Sequence, residues 1–373
     1  MSEVIIRSTG LWTPPHSISN EQLVASYNAY AARWNSEHAS EIASGAVEAK
    51  SPSSAEFIEK ASGIKSRYSI DPEGILDTDR LKPKVTPRPD DEICLMAEAG
   101  VAAAKNALDR AGLDGSDVDG IICSATSMQR TYPCVGIEIQ DAIGAKGFAF
   151  DMSVACSSAT FALQNAVDMI RAGHANRMIV VTPEITTPQL NYTDRDSHFI
   201  FGDVAVAVIL ESAEWGNDGW KVLSTRLKTQ YSNNIRSNQG FLNRCEVPPR
   251  DEDEMLFVQN GRRVFKEVCP MVADMILGHM ADCNLKPDDM KRLWLHQANS
   301  NMNRVIASKV FGRDYADIEA PTILDEFANT AGAGSVVCFH RHSDDFQPGE
   351  KGLICSFGAG YSVGSIFVER CEA

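Results

Sequence analysis

Apolar positions along the chain follow two periods. Nearly continuous apolar runs at residues 4–8, 121–125, 177–182 and 202–210 predict short strands, the last of them buried on both faces. Between them, residues 96–111, 133–143 and 160–172 carry apolar side chains at helical spacing, and Gly112 and Gly173 stand where two of these helices should stop. A second series follows: strands at 219–225, 293–295, 352–357 and 362–369, with helices at 264–283, 301–310 and 332–339. Strands alternating with helices over such a length predict an α/β fold. Residues 10–15 read as a turn, 27–59 as helical in composition, and 241–253 as a polar surface loop. Residues 71–91 carry Pro72, Gly74, Pro83, Pro87 and Pro89 among many charges, which predicts a long, mostly irregular excursion of the lid or binding-loop kind.

The two series echo one another. Aligned so that Ala111 faces Cys283 and Gly120 faces Arg292, each has a helix, a short turn rich in Asp, and an apolar strand. A second echo pairs the segment after Cys156 with the segment after Asn329, each a small-residue helix leading to a glycine-containing turn and a strand. Duplication of a strand–helix unit accounts for both. It divides the chain into residues 1–215 and 216–373, with inserted material at about 28–91 in the first half.

Composition narrows the classes of function. The 373 residues are 44% hydrophobic and 23% charged, an ordinary globular profile with room for a large core. The ten cysteines are scattered and form no CxxC pair, which points to reduced thiols in a cytoplasmic setting rather than disulfides or a zinc site. No His or carboxylate spacing suggests a metal. The N-terminus lacks the apolar core of a signal peptide, and no run of about 18 apolar residues predicts membrane insertion. A formal net charge of -15 disfavours nucleic acid as a partner, while leaving room for a local basic patch.

Three polar islands interrupt the apolar segments. Cys156 lies where the strand-like 147–150 stretch leads into the helix at 160–172. Unpaired amide N–H groups and the helix dipole at such a junction favour a thiolate. A lone cysteine there equally reads as a small buried side chain. His296, in Trp294-Leu295-His296-Gln297-Ala298-Asn299, and Asn329, in Phe327-Ala328-Asn329-Thr330-Ala331-Gly332, sit at the same kind of junction in the second half. Alone, His296 reads as a satisfied structural histidine and Asn329 as a cap. If the halves face each other, the three converge at the C-terminal ends of strands, where open α/β sheets place function. Together they make chemical sense: the thiol takes an acyl group from a thioester, and His296 and Asn329 donate hydrogen bonds to the carbonyl of a second, carboxylated thioester as it loses CO2 to an enolate. The enolate then attacks the acyl-Cys. Backbone N–H groups, one from Cys156 and another from the run Gly358-Ala359-Gly360, supply an oxyanion hole, with Gly358 and Gly360 as its flexible members.

These islands resemble the β-ketoacyl-acyl carrier protein synthase III family of the thiolase superfamily. The matching pieces are Ala155-Cys156-Ser157-Ser158, His296-Gln297-Ala298-Asn299, Asn329-Thr330-Ala331-Gly332, Phe201-Gly202-Asp203 and Phe357-Gly358-Ala359-Gly360, with Gly63-Ile64-Lys65-Ser66-Arg67 similar to a further family turn. The resemblance implies a five-layer αβαβα fold of two similar halves, a homodimer, and Cys156, His296 and Asn329 as the catalytic set. It implies condensation of an acyl-CoA primer with malonyl-acyl carrier protein, releasing CO2 and giving a 3-oxoacyl product. No cofactor is tightly bound in such an enzyme; CoA thioesters and phosphopantetheine-linked acyl groups are its substrates. Phe57, Lys65, Arg67 and Asn299 become candidates for holding CoA. Arg304, Lys309 and Lys266, with Arg262 and Arg263, become candidates for docking an acidic carrier protein.

The chain departs from the family pattern in places. Where the family often stacks the CoA adenine on a tryptophan, this chain has Glu56-Phe57-Ile58, and Ala61 replaces a nearby arginine. CoA grip therefore differs, or the primer arrives on another carrier. The chain is longer than typical members, mostly between 28 and 91, and this excess is expected to cover the acyl tunnel mouth or a dimer edge and to admit a primer longer than acetyl. Two other functions share the motifs: an enzyme of secondary metabolism that condenses or transfers acyl groups, and a non-catalytic partner subunit. The intact Cys156 and His296 argue against the second.

Overall fold

The computed structural model describes residues 2–216 and 218–372. The first half contains β1 (Val4–Trp12), β2 (Ser17–Ser19), α1 (Asn20–Glu37), α2 (Ala39–Ser44), α3 (Ala55–Ser62), β3 (Ser66–Tyr68), α4 (Pro72–Leu76), α5 (Leu95–Ala111), β4 (Gly120–Ser124), α6 (Val135–Ile143), β5 (Phe148–Met152), α7 (Ser158–Arg171), β6 (Arg177–Glu184) and β7 (Val204–Ser212). The second contains β8 (Trp220–Ser232), β9 (Ile235–Arg236), β10 (Val258–Gln259), α8 (Gly261–Asp282), β11 (Met290–Leu295), α9 (Ser300–Phe311), α10 (Leu324–Phe327), α11 (Gly334–Arg341), β12 (Lys351–Gly358) and β13 (Gly360–Arg370).

Nine strands join in the order β11-β12-β13-β8-β1-β7-β6-β4-β5. The two halves meet at β1 and β8, which pair only through Ile5–Lys221 and Ile6–Trp220. Alternate side chains of each strand enter different cores, as the pleat requires. Ile122, Val206 and Val208 of the first half and Trp294, Ile354 and Ile366 of the second share one central core with α7 and α11. Ile121, Cys123 and Ala207 face a separate core under α5 and α6, and Leu293, Leu295 and Leu353 face another under α8 and α9. The result is five layers, with α7 and α11 between two sheet regions and a helix pair outside each. The echo between halves extends to hydrogen bonds. Asp117 Oδ2 accepts from the Asp114 amide at 2.9 Å, and Asp289 Oδ2 from the Lys286 amide at 2.7 Å, each capping the short turn ahead of β4 or β11.

The structure corrects two local expectations. Residues 10–12 are not a turn: β1 continues to Trp12, and Gly10 is there because a Cβ would stand 2.2 Å from the Ala103 carbonyl oxygen of α5. The helical stretch expected over 27–59 is broken. Gly45, left-handed at φ 76°, ends α2, and the Ser54 side chain caps a fresh start at α3. The 71–91 excursion is mostly irregular, as its composition predicts, apart from one short helix, α4, initiated by Asp71 with Pro72 at its first turn. His340 is half-buried against β1, its Nδ1 2.8 Å from Thr9 Oγ1.

Candidate active site

Cys156 sits just ahead of α7, and the turn that presents it is strained. Ala155 has a φ of 46°, a left-handed conformation that costs a non-glycine residue on the order of 1 kcal/mol. The same device recurs at the second junction, where Ala328 (φ 55°) precedes Asn329 and Ala331 (φ 46°) follows it. The β12–β13 turn closes on the thiol. The Ala359 N–H points at the sulfur, so the amide facing it belongs to the residue between the two glycines named from the sequence. Gly358 supplies room instead: a Cβ there would stand 2.5 Å from Cys156 Cβ and 3.0 Å from Sγ. Gly360, at φ 127°, supplies the backbone freedom of the turn.

His296 extends the parallel β11–β12 pairing, its N–H donating to the Cys355 carbonyl at 2.7 Å. Its ring stands edge-on to Phe357 at 5.2 Å. Burial pushes its pKa down to about 3, so the imidazole is neutral at physiological pH. The buried Nδ1 has no partner, which suits a tautomer with the proton on Nε2. Asn329 is held by its backbone N–H to the Ile200 carbonyl (3.0 Å) and its carbonyl from the Gly202 amide (3.1 Å). Its Oδ1 accepts from the Ala331 amide at 2.9 Å, which fixes the flip of the side-chain amide and leaves Nδ2 as the donor available to a substrate. Gln297 and Asn299, the other polar members of the His296 motif, are committed to structure. Gln297 bridges the Leu295 carbonyl and the Ile323 amide, and Asn299 caps α9 while donating to the Ala61 carbonyl at 2.6 Å.

Cys156, His296 and Asn329 all line one cavity of about 340 Å³ that also carries Phe57, Ala298 and Asn299. A second cavity, about 620 Å³, reaches Cys156 from the other side, past Met128, Arg130 and Phe241. The two share a wall of Cys156, Phe201, Ile235 and Phe257. The thiol therefore lies between two chambers, the arrangement needed if an acyl chain and the thioester arm that delivers or removes it approach from opposite sides.

The electrostatics overturn one expectation. Burial pushes the Cys156 thiol up to about 12, and the carboxyl of Glu184 adds to the rise; the N–H groups of Ala359 and Cys156 itself oppose it without winning. The resting group is a thiol, not the thiolate that its place ahead of a helix suggests. Glu184, which the sequence reading passed over, is fully buried at the end of β6, and burial raises its pKa to about 8. Its Oε1 accepts from the Thr126 amide, the Thr126 hydroxyl and the Gly332 amide, each at 2.9 Å. It thereby ties the rim of the larger cavity to the Asn329 loop. An acid closing an apolar strand was the available signal. Asp203 is a similar knot, accepting from Thr186 N, Thr187 N, Thr187 Oγ1 and Ile70 N at 2.7–2.9 Å.

The candidates for CoA and carrier contacts separate. Phe57 lines the mouth of the smaller cavity, with the Arg195 guanidinium 3.9 Å over its ring, an aromatic–cation pair that the sequence did not reveal. Lys65 is exposed and pairs with Glu59 at 3.2 Å. Arg67 is not available to a ligand: it is buried and donates to the Ile18 carbonyl, Asn20 Oδ1 and the Phe199 carbonyl. Lys266, Arg304 and Lys309 are exposed on α8 and α9, and no ion pair among the described residues involves them or Arg262 and Arg263. No group of three or more metal-ligating side chains occurs among the described residues.

Comparison with known proteins bears on the whole chain. Residues 150–230 match the profile of 3-oxoacyl-[acyl-carrier-protein (ACP)] synthase III, and residues 280–370 the profile of its C-terminal part. A β-ketodecanoyl-[acyl-carrier-protein] synthase of Pseudomonas aeruginosa is 50% identical over 347 residues, covering 92% of this chain and 99% of its own. A β-ketoacyl-[acyl-carrier-protein] synthase III of Chlorobium luteolum is 29% identical over 273 residues, 71% of this chain and 82% of its own. Among solved structures, a 3-oxoacyl-(acyl carrier protein) synthase III from Pseudomonas aeruginosa PAO1 superposes with a TM-score of 0.76 at 19% identity, covering 99% of each chain, a likeness of fold.

Proposed function

The chain belongs to the 3-oxoacyl-[acyl-carrier-protein] synthase III family and is a condensing enzyme of the acyltransferase class, and we propose that it joins a medium-chain acyl-CoA primer to malonyl-acyl carrier protein through an acyl-Cys156 intermediate. The observation that carries this reading is the meeting of Cys156, His296 and Asn329 on one cavity, with a second chamber behind the thiol. In the first half-reaction Cys156 Sγ attacks the primer thioester carbonyl, the sulfur–carbon bond forms, and CoA leaves as its thiol after taking the Cys156 proton. The Ala359 N–H, which favours the anionic form of the Cys156 sulfur, is the proposed donor to the developing oxyanion. In the second, malonyl-carrier protein loses CO2, and the enolate oxygen accepts hydrogen bonds from His296 Nε2–H and Asn329 Nδ2. The enolate carbon then attacks the acyl-Cys carbonyl, releasing the 3-oxoacyl-carrier product and returning the sulfur to its thiol by protonation. A neutral His296 suits this role, because its Nε2–H still donates a hydrogen bond while no imidazolium charge has to be held in a buried site.

A 3-oxodecanoyl product, the one in the name of the Pseudomonas relative, arises from an octanoyl primer, since malonyl adds two carbons after decarboxylation. The match to that relative leaves less than a tenth of this chain uncovered, which is shorter than the 28–91 excursion, so the two share part of it. Both facts support a medium-chain primer. The acidic carrier protein is proposed to dock on Lys266, Arg304 and Lys309, beside the mouth that Phe57 and Asn299 line. A homodimer is proposed through β5, the edge strand of the first half, whose Phe148, Phe150 and Met152 are only half-buried. A cytoplasmic enzyme fits ten cysteines that are all free, and no described helix is long and apolar enough to cross a membrane.

Intact-protein mass spectrometry after incubation with octanoyl-CoA tests the reading. One octanoyl adduct on the wild-type protein, none on Cys156→Ala, and a 3-oxodecanoyl product after addition of malonyl-carrier protein are expected. An adduct that persists in Cys156→Ala would sink it.

A further inference from the structure

We infer that residues 71–84 act as a strap that sets the longest primer the site accepts, by bracing the wall shared by the two chambers. The inference rests on the acyl-holding role of Cys156 proposed above.

The strap is anchored at its root and strained at its tip. Asp203 Oδ2 accepts from the Ile70 amide at 2.9 Å, and Asp71 Oδ2 accepts from both Gly74 N and Lys84 N, closing the segment into a loop. Leu81 lies in the left-handed region at φ 48°, a conformation that costs a branched side chain and persists only where its surroundings enforce it. Here they do: Leu81 N donates to the Asp77 carbonyl at 2.8 Å and Lys82 N to the Gly74 carbonyl at 3.2 Å. The outcome is that Leu76 and Leu81 pack on the same apolar cluster as Phe199, Phe201 and Phe257.

A second connection runs through the loop after β9. Lys82 Nζ pairs with Glu252 Oε1 at 2.7 Å, which joins the strap to the Glu252–Met255 turn. That turn accepts from Ser237 Oγ (to the Met255 carbonyl, 2.8 Å) and Asn238 Nδ2 (to the Glu254 carbonyl, 3.0 Å). Residues 237–238 follow β9 directly, and β9 pairs with β10 to hold Ile235 and Phe257 over Cys156. Phe257 in turn packs edge-on against Phe201 at 4.8 Å. Strap, turn and wall are thus one continuous set of contacts. The exposed Lys82–Glu252 pair contributes little energy by itself. Leu76 and Leu81 add an apolar tie through the cluster they share with Phe201 and Phe257, because a close-packed interior passes the loss of one side chain on to its neighbours.

Two variants test the strap: Leu81→Ala, which removes the brace, and Lys82→Glu, which turns the tie to Glu252 into a repulsion at an exposed position. Rates of acyl-Cys156 formation are measured by intact mass spectrometry with hexanoyl- to tetradecanoyl-CoA, alongside thermal melting. The rate ratio of dodecanoyl to octanoyl is expected to rise about tenfold in Leu81→Ala, and in the same direction in Lys82→Glu, while both retain cooperative melting. A ratio unchanged in Lys82→Glu and in folded Leu81→Ala overturns the strap. If Leu81→Ala does not fold, Leu76→Ala, which shortens the other side chain of the brace, is read in its place by the same criterion. Wild-type protein that forms no acyl adduct with any chain overturns the acyl-holding reading, and the strap with it.

Discussion

Gly358 and Cys156 are in contact through the one face a side chain would need: a Cβ on Gly358 would overlap Cys156 Cβ at 2.5 Å and press the sulfur at 3.0 Å. The backbone of Gly358 is ordinary strand, paired with Ser362, so the requirement for glycine is spatial and not conformational. Gly358→Ala is therefore expected to fold, because a local shift of the Cys156 turn can absorb one methyl group. The shift moves Sγ away from the Ala359 N–H. A displacement of this size lowers the acylation rate by about a hundredfold. Stopped-flow release of CoA from octanoyl-CoA measures it, and a variant within a factor of about three of wild type would show that the contact does not position the nucleophile.

Glu184 controls the thiol from behind. Its own pKa of about 8 places it largely protonated at pH 7 and ionised above pH 8, and the ionised carboxylate opposes formation of the Cys156 thiolate. In Glu184→Gln the amide oxygen can still accept from Thr126 and Gly332, so the loop ties survive. Alkylation of Cys156 by iodoacetamide is expected to match wild type below pH 7. It should then run faster than wild type by up to about tenfold as pH rises through 8 to 9.5, since one unit of thiol pKa is a tenfold change in thiolate. Parallel profiles across that range would remove Glu184 from the control of the thiol.

Much of this site was legible in the sequence. Strand ends, helix starts and the small-residue flanks of Cys156, His296 and Asn329 follow periodicity and stop signals, and the echo between halves places all three at equivalent junctions. What the sequence hid depends on tertiary partners. Alanine at positions 155, 328 and 331 gives no sign of a left-handed backbone, because alanine prefers to avoid it and only the surrounding contacts impose it. Arg67 reads as a CoA contact until its three acceptors within the protein are seen. The thiol reads as activated by its helix until the depth of its burial and the presence of Glu184 are known. Gly10 reads as a turn until α5 is found lying on it.

Arg67 offers a direct test of that reassignment. Its guanidinium is buried with no carboxylate paired to it among the described residues, and burial lowers its pKa to about 10. Arg67→Met would leave the Ile18 and Phe199 carbonyls and Asn20 Oδ1 short of donors, a loss of about 3 kcal/mol of stability. Urea unfolding should show this loss, while KM for octanoyl-CoA in the folded variant stays within about twofold. A large rise in KM with stability unchanged would return Arg67 to the ligand site.

His279 makes the acid sensitivity of the fold measurable. It is buried between Ser365 Oγ and Ser224 Oγ, both at 2.9 Å, and burial lowers its pKa from 6.5 to about 4. The unfolded chain binds a proton below pH 6.5 and the folded chain does not until about pH 4. Stability is therefore full above pH 6.5 and falls as pH drops toward 4, by about 1.4 kcal/mol per pH unit from this one group. Glu184, with its raised pKa, acts in the opposite sense over part of the window, so the test is a difference between proteins. His279→Gln should reduce the pH slope of urea-unfolding free energy between pH 6 and 4.5 by about one proton. An unchanged slope would mean that His279 titrates alike in both states.

Docking of an acidic carrier on the basic residues beside the smaller cavity, as proposed above, would reconcile such a partner with a net charge of -15. Lys266, Arg304 and Lys309 are exposed and take part in no ion pair among the described residues, so their charge is free to act on a partner. The Arg304 side chain donates one hydrogen bond among the described residues, to Asn301 Oδ1, on the helix that Asn299 caps and beside the motif that holds His296. A carrier seated there would present its phosphopantetheine arm to the mouth bounded by Phe57 and Asn299. Charge complementarity of this kind acts mainly on the rate of encounter and fades with salt. The double variant Lys266→Glu/Arg304→Glu should therefore raise KM for malonyl-carrier protein about tenfold at low ionic strength, with the gap from wild type shrinking as salt is added. Its acylation by octanoyl-CoA, which needs no carrier, should be unchanged. Equal defects in both half-reactions, or a defect indifferent to salt, would place the carrier on another face.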